Sequence, residues 1–371
     1  MLNNSKLPAR VATWTAPAAP GGPTDWSNAP IITQWHNQGW YQASYAVTGI
    51  TQGANTELQM TADGTFPSGG WQGGRTMENC DPDNLDPKEP LCSGPWYVRN
   101  LQQELDAPGE YWFDAAAQKL YLYYNATSSG TPPPADFRLV ASQLEVFFNL
   151  TGSLADPVAD VTFAGLGLRD QRPAQLDRWA DPSGGDWGIR RAALFHLEFT
   201  ERVTISGSTF FRTDANAVMI ANMNRNATVS DNEFAFVGMS CVVTFGNTLQ
   251  DDGTAGTQPW GTVIAYNKAH EIGQYQLQSS LWFTSRATMT RAEGNVVFNI
   301  PRAAINLNDA FGGGNNMTLL SIWNACRQSG DREFTAPQRC PGEGAPPRPL
   351  YAPPDRSLPP SPPLSATRRA D

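Results

Sequence analysis

Between Val203 and Asp331 the chain repeats itself imperfectly about every 24 residues, a period that few architectures can accommodate. VTISGSTF (203–210) lies over ATVSDNEF (227–234), and NAVMI (216–220) over SCVVT (240–244), both at an offset of 24. SSLWF (279–283) and AAINL (303–307) extend the second series at the same offset. Short β-branched runs at this period, with no helix-length apolar stripe between them, predict a parallel β-solenoid. Residues one period apart then stack on neighbouring strands roughly 4.8 Å from each other, so polar groups fall into rows. A long face carrying such rows suits an extended polymer.

Composition agrees with strands and turns rather than helix bundles. Gly (33) and Pro (30) are high in the 371 residues, and charged residues make up only 16%. The formal charge of −9 comes with no basic stripe, which argues against a nucleic-acid partner. No apolar run approaches the roughly 18–20 residues of a membrane span. The first twenty residues hold no continuous hydrophobic segment of the signal-peptide kind. Five Asn-x-Ser/Thr sequons, at Asn3, Asn125, Asn149, Asn226 and Asn316, point instead toward an extracellular or cell-surface protein. The last four are the expected glycosylation sites. Of the five cysteines, Cys80 and Cys92 bracket an acidic loop, and a disulfide between them would contribute on the order of 3 kcal/mol. Cys241 reads as a small buried residue on an inward strand.

Four regions follow. Residues 1–30 form a loose Pro/Ala/Gly-rich lead-in, and 31–157 a β-rich region without the period. Within the latter, EYWFD (110–114) and KLYLYYN (119–125) alternate bulky and polar residues around AAAQ, as the arms of a hairpin do. Residues 158–335 carry the solenoid, interrupted by polar excursions at 171–187 and 248–259; the second stretches its repeat to about 35 residues. Residues 336–371 are Pro-rich, with ten prolines after position 340, and are expected to stay disordered.

SGGDWGIRRAALFHLEFTERVTISGSTF, NAVMIANMNRNATVSDNEFAFVG, YQLQSSLWF and GNVVFNIPRAAINLNDAFGGGNN resemble a family of right-handed parallel β-helix proteins with the pectin-lyase-like fold. GGWQGGR and GPWYVRNLQQELDAPGEYWFDAAAQKLYLYY are similar to the same family's N-terminal part, which precedes the β-helix in several glycoside hydrolases. The resemblance runs from about Pro30 to Asp331, where the chain departs from the family pattern. It implies an all-β, right-handed parallel β-helix behind a β-rich N-terminal region with a hairpin. It also implies a carbohydrate-active protein with a polysaccharide or other glycan as partner. Because the fold hosts several chemistries, hydrolase, lyase and non-catalytic binding all stay open.

Asp309 and Asp331 are 22 residues apart, close to one turn, and each ends an expected strand. Stacked carboxylates roughly 5 Å apart fit the nucleophile and general acid of a retaining glycosidase, because like charges push their pKa values apart. The structural alternative has Asp309 capping the turn FGGGNN and Asp331 solvated in a loop. Arg302 and Arg327, at an offset of 25, would form a row able to hold a carboxylated sugar, or would each pair with a neighbouring acid. A lyase would use one of them and bring Ca²⁺; the hydrolase reading needs no cofactor or metal. Trp187 and Trp260 flank the two excursions and could stack on sugar rings, or could fill the core. Ser208, Asn232, Asn267 and Asn295 are expected to form a structural amide ladder. His196, after the apolar run in LFHLEF, reads as a satisfied strand residue, and Gly312–Gly314 as a tight turn.

Overall fold

The computed structural model of the protein describes residues 2–3, 30–35, 42–51, 57–60, 96–102, 105–114, 116–124, 133–172, 181–182, 188–189, 191–249, 252–308 and 312–328. Among these residues there is no α-helix, and none long and apolar enough to cross a membrane. Three parallel sheets dominate. Each round of the chain contributes three residues to the first sheet, three to five to the second, and to the third either one long strand of nine or ten residues or a strand of three or four followed by one of two. Thr204–Ser206, Thr209–Thr213 and Asn216–Arg225 make up one such round. The next lays Thr228–Ser230, Glu233–Val237 and Val242–Phe245 beside them in parallel register. Strands stacked round upon round in this way are consistent with a parallel β-solenoid.

Register is conserved from round to round, whereas length is not. Stacked partners are separated by 42, 24, 35, 28 and 25 residues in successive rounds. The surplus leaves as excursions, and the 35-residue round carries the second of them. One expected pairing is shifted. Trp282 faces Ile305 and Phe283 faces Asn306, so the offset is one residue less than the 24 read from SSLWF and AAINL. At 24, Trp282 would have faced Asn306 and put an amide in the core. Because side chains alternate between faces, hydrophobic burial selects the shorter step.

The corners explain how short strands can turn so often. Gly165, Gly207, Asp231, Tyr266, Gly294 and Leu319 form one stacked column with φ between 54° and 68°. Asp160, Arg202, Asn226, Gly261, Met289 and Gly314 form another, with φ between 49° and 72°. Single left-handed residues reverse the strand direction within two or three residues, a conformation that a non-glycine residue adopts only at a cost. The amide ladder sits beside the first column as expected. Asn232 Oδ1 accepts from the Ser208 backbone N–H at 2.9 Å, Asn267 Oδ1 from that of Asn232 at 3.0 Å, and Asn295 Oδ1 from that of Asn267 at 2.9 Å. Each Nδ2 then donates to a carbonyl of the preceding round: Ile205, Val229 and Ile264.

The main core is a column of inward side chains, among them Ile205, Phe210, Val218, Val229, Phe234, Ile264, Trp282 and Ile305. Aromatic rings stack along it, Phe148 on Phe195 at 4.6 Å and Phe210 on Phe234 at 4.7 Å. Cys241 is buried in this column as expected, and burial pushes its thiol pKa well up. Parallel pairing begins at Phe148–Thr151, ahead of Val158. Upstream lie a five-stranded antiparallel sheet and the expected hairpin, which pairs Tyr111–Asp114 with Lys119–Leu122. The lead-in apart from residues 2–3 and 30, the pair Cys80 and Cys92, most of the first excursion, and the tail 336–371 lie outside the described residues.

Candidate functional site

The third sheet differs from the other two in what it places on its outer surface. In Ala193–Glu201 (ALFHLEFTE), alternation turns Phe195 and Leu197 inward and His196 and Glu198 outward. Cross-strand pairing then sets one outer row, Asn149, His196, Met219, Val243, Phe283 and Asn306. A second row runs Thr151, Glu198, Ala221, Phe245 and Ser285. The middle of both rows is apolar and buried, where Ala193, Met219, Ala221, Val243, Phe245 and Phe283 form their own cluster. The guanidinium groups of Arg191 and Arg286 lie 4.9 and 5.9 Å from the centre of the Phe245 ring. This face is therefore a closed apolar floor with polar ends.

At one end, Glu198 accepts a hydrogen bond on Oε1 from Asn222 Nδ2, and its Oε2 lies 3.5 Å from His196 Nε2. That separation exceeds a formed hydrogen bond, and His196 Nε2 meets no nearer partner. Burial holds the His196 pKa below its ordinary value; the Arg191 charge adds to the effect and Glu198 opposes it. A neutral imidazole beside a carboxylate is a pair able to pass a proton to or from a hydroxylic ligand. The pair sits at a bulge, for the register with Asn216–Arg225 shifts between Glu198 and Thr200, and both Phe199 and Asn222 are left-handed. Bulges re-aim side chains and recur beside sites. At the other end, Asn306 is 1% exposed, and its Nδ2 and Oδ1 meet no hydrogen-bond partner among the described residues.

Beyond the bend the sheet continues in a shorter piece with a more open row: Glu201, Arg225, Trp260, Thr288 and Gly313. Trp260 is 43% exposed at its centre. Arg225 donates to the carbonyls of Gly256 and Gln258 at 2.8 and 2.6 Å, tethering the end of the second excursion next to that ring. Gly312, next to the last member of the row, has φ 133°, and a Cβ there would meet the Ala287 carbonyl oxygen at 2.1 Å. Gly312–Gly313 is thus a short strand pressed on the round before, where the sequence suggested a tight turn.

Asp309, Asp331 and Trp187 lie outside the described residues, as does Asn125. Asp309 directly follows Asn308, whose backbone N–H bonds the Thr284 carbonyl at the end of the third-sheet strand. Arg302 and Arg327 do not form one exposed row. Arg302 is buried, whereas Arg327 is exposed and donates to Glu271 Oε2 at 3.0 Å. The chain there turns irregularly, with Arg327 N bonded to the Ile300 carbonyl and Cys326 N to that of Arg302, so an offset of 25 does not carry across it. Asn149, Asn226 and Asn316 are exposed. The sequence reading made His196 a satisfied strand residue, whereas its Nε2 has no hydrogen-bond partner among the described residues, and Asn222 and Asn306 escaped that reading altogether. The available signal was polar residues at outward positions of otherwise apolar strands.

No protein-family model matches the chain, and no curated protein matches it in sequence. A solved structure described as a glycoside hydrolase superposes with a TM-score of 0.59 at 13% sequence identity. The match covers 78% of this chain but only 51% of that structure, so the chain spans about half its length. At that identity the likeness is one of fold.

Proposed function

We propose that the protein is a carbohydrate-active, right-handed parallel β-helix of the pectin-lyase-like kind, and that it holds an extended polysaccharide along the outer surface of the third sheet. The observation carrying this reading is the row Glu201, Arg225, Trp260, Thr288 and Gly313, which crosses the strands with an exposed indole at its centre. Neighbouring members are roughly 4.8 Å apart, so the row runs about 19 Å along the stacked rounds. A polymer lying across the strands meets a new side chain at each step, and an indole offers the apolar face on which a sugar ring stacks.

The reaction class proposed is glycoside hydrolysis, by fold likeness to a glycoside hydrolase and with Asp309 and Asp331 as the acid pair. A lyase draws less support, since Arg327 is engaged by Glu271 and Arg302 is buried. Secretion, with glycans on Asn125, Asn149, Asn226 and Asn316, belongs to the same proposal. The test uses the full chain and a panel of soluble polysaccharides, read by reducing-end release and by affinity electrophoresis. Asp309→Asn and Asp331→Asn should each abolish release while leaving binding intact, and Trp260→Ala should weaken binding about tenfold. Release undiminished in both Asn variants removes the acid pair. Binding without release in the wild type leaves a non-catalytic glycan-binding solenoid.

A further inference from the structure

The corner column beside the open row of the third sheet leans in one direction. Its members Asn226, Gly261, Met289 and Gly314 each sit one residue beyond Arg225, Trp260, Thr288 and Gly313. A Cβ built on Gly314 would meet the Met289 sulfur at 2.4 Å, and one built on Gly261 would meet Asn226 Oδ1 at 2.4 Å. In the other column, a Cβ on Gly294 would meet the Tyr266 ring at 2.5 Å. Long corner side chains therefore lie over the corner of the next round, where glycine leaves room for them. Asn226 thus reaches across Gly261, the residue that follows Trp260, and its backbone N–H bonds the Trp260 carbonyl at 2.9 Å. Trp260 is 43% exposed there, and Met289, one round further on, is 50% exposed.

Asn226 is exposed and opens the sequon Asn226-Ala227-Thr228. Resting on the secretion and carbohydrate readings above, we infer that the N-glycan of Asn226 runs along the stack and that its innermost N-acetylglucosamine covers Trp260. The linkage forms between Asn226 Nδ2 and C1 of the sugar as the bond from C1 to a lipid diphosphate donor breaks, and the amide gives up one proton. Whatever is joined to that amide starts out over the Gly261 corner rather than over its own. Trp260 supplies the apolar surface on which the C–H face of a pyranose packs, and Met289 a second apolar contact. Asn149 and Asn316, the other sequon asparagines on the parallel sheets, face His196 and Arg291 across their strands instead. The modification occupies the indole proposed to seat a polysaccharide, so the modified protein holds its polymer less tightly than the bare one.

The test uses the full chain directed into the secretory pathway of a eukaryotic cell, with peptide mass spectrometry to read occupancy of Asn226. Hydroxyl-radical labelling then compares Trp260 with Trp323, which is equally exposed (43%) on the second sheet. Thr228→Val removes the sequon and leaves Asn226 in place; valine already stands at this position of the next round, in Val263. Trp260 labelling should be several-fold lower in the wild type than in Thr228→Val, with Trp323 unchanged. Trimming the glycan to its innermost sugar should keep the labelling low, and Thr228→Ser, which retains the sequon, should match the wild type. Should Thr228→Val fail to fold, enzymatic removal of the whole glycan supplies the bare protein. The modified protein should also bind the polysaccharide of the preceding test about tenfold more weakly than the bare one. An occupied Asn226 with Trp260 labelled alike in both forms overturns the inference, and so does an unoccupied Asn226 in protein recovered from that cell. A shielded Trp260 with no polysaccharide bound by either form keeps the glycan seat and removes the carbohydrate reading instead.

Discussion

His196 shows how one side chain can tie the candidate site to the stability of the fold. Its ring is half-buried on the outer surface of the third sheet, and burial depresses its pKa from the ordinary value near 6.5. The sign follows from proton linkage. As pH falls through about 6.5 the unfolded chain takes up a proton that the folded chain resists, so folding loses stability. The contribution is fully present above that pH and is lost progressively below it, down to the depressed folded-state value. Between pH 7.5 and 5.5 the wild-type melting temperature should therefore fall more than that of His196→Gln, which has no proton to gain. Parallel curves for the two proteins would show that His196 titrates alike in both states. Glu233 acts in the same direction at lower pH, because the hydrogen bond from Lys268, 2.8 Å away, holds its carboxyl below the ordinary range.

At the scale of the element, strand residues were legible in the sequence and corner residues were not. The runs 203–210 and 227–234 stack as their likeness implies, and the ladder from Ser208 to Asn295 follows from the same alignment. Hydrophobic alternation carries that information directly. Left-handed corners are different, because stacking between rounds imposes them whatever the local preference. Glycine, aspartate and asparagine announce some corners, but Tyr266 and Leu319 occupy the same column with φ near 55°. Only packing reveals those, and only packing revealed the one-residue slip that sets Phe283 against Asn306. The candidate site was hidden for a related reason. A polar residue at an outward position looks the same in sequence whether water, an ion pair or a ligand meets it. The corner column also makes a prediction. Leu319 is 76% exposed, so glycine there forfeits little packing and relieves a strained φ, for a gain of about 0.5–1 kcal/mol. Gly207→Ala, whose Cβ would meet nothing closer than 3.9 Å, should lose about 1 kcal/mol through φ alone. Denaturant midpoints measure both, and equal shifts of the same sign would refute the strain argument.

Taken whole, the parallel part of the molecule is a stack in which each round touches only the rounds before and after it. Stability in such a stack is a sum of neighbouring contacts, so the ends should open before the middle. Burial already marks the gradient. Ile205, Val229 and Ile264, inward on the first sheet, are fully buried, whereas Phe163 before them and Met317 after them are only partly so. The second sheet repeats the pattern, with Phe210 and Phe234 fully buried and Ile322 partly buried. Hydrogen exchange should accordingly find the strongest amide protection from Val203 to Phe245, declining toward Phe148–Thr151 on one side and Ser321–Trp323 on the other. Equal protection in every round would mean one cooperative unit and would defeat the additive picture. The same measurement bears on function, because the proposed glycan row runs from Glu201 near one end of this gradient to Gly313 near the other. A ligand lying across it bridges rounds that otherwise separate first. Adding a bound polysaccharide should raise protection most at Gly312–Gly313, where the free protein has most to gain, and least in the central rounds.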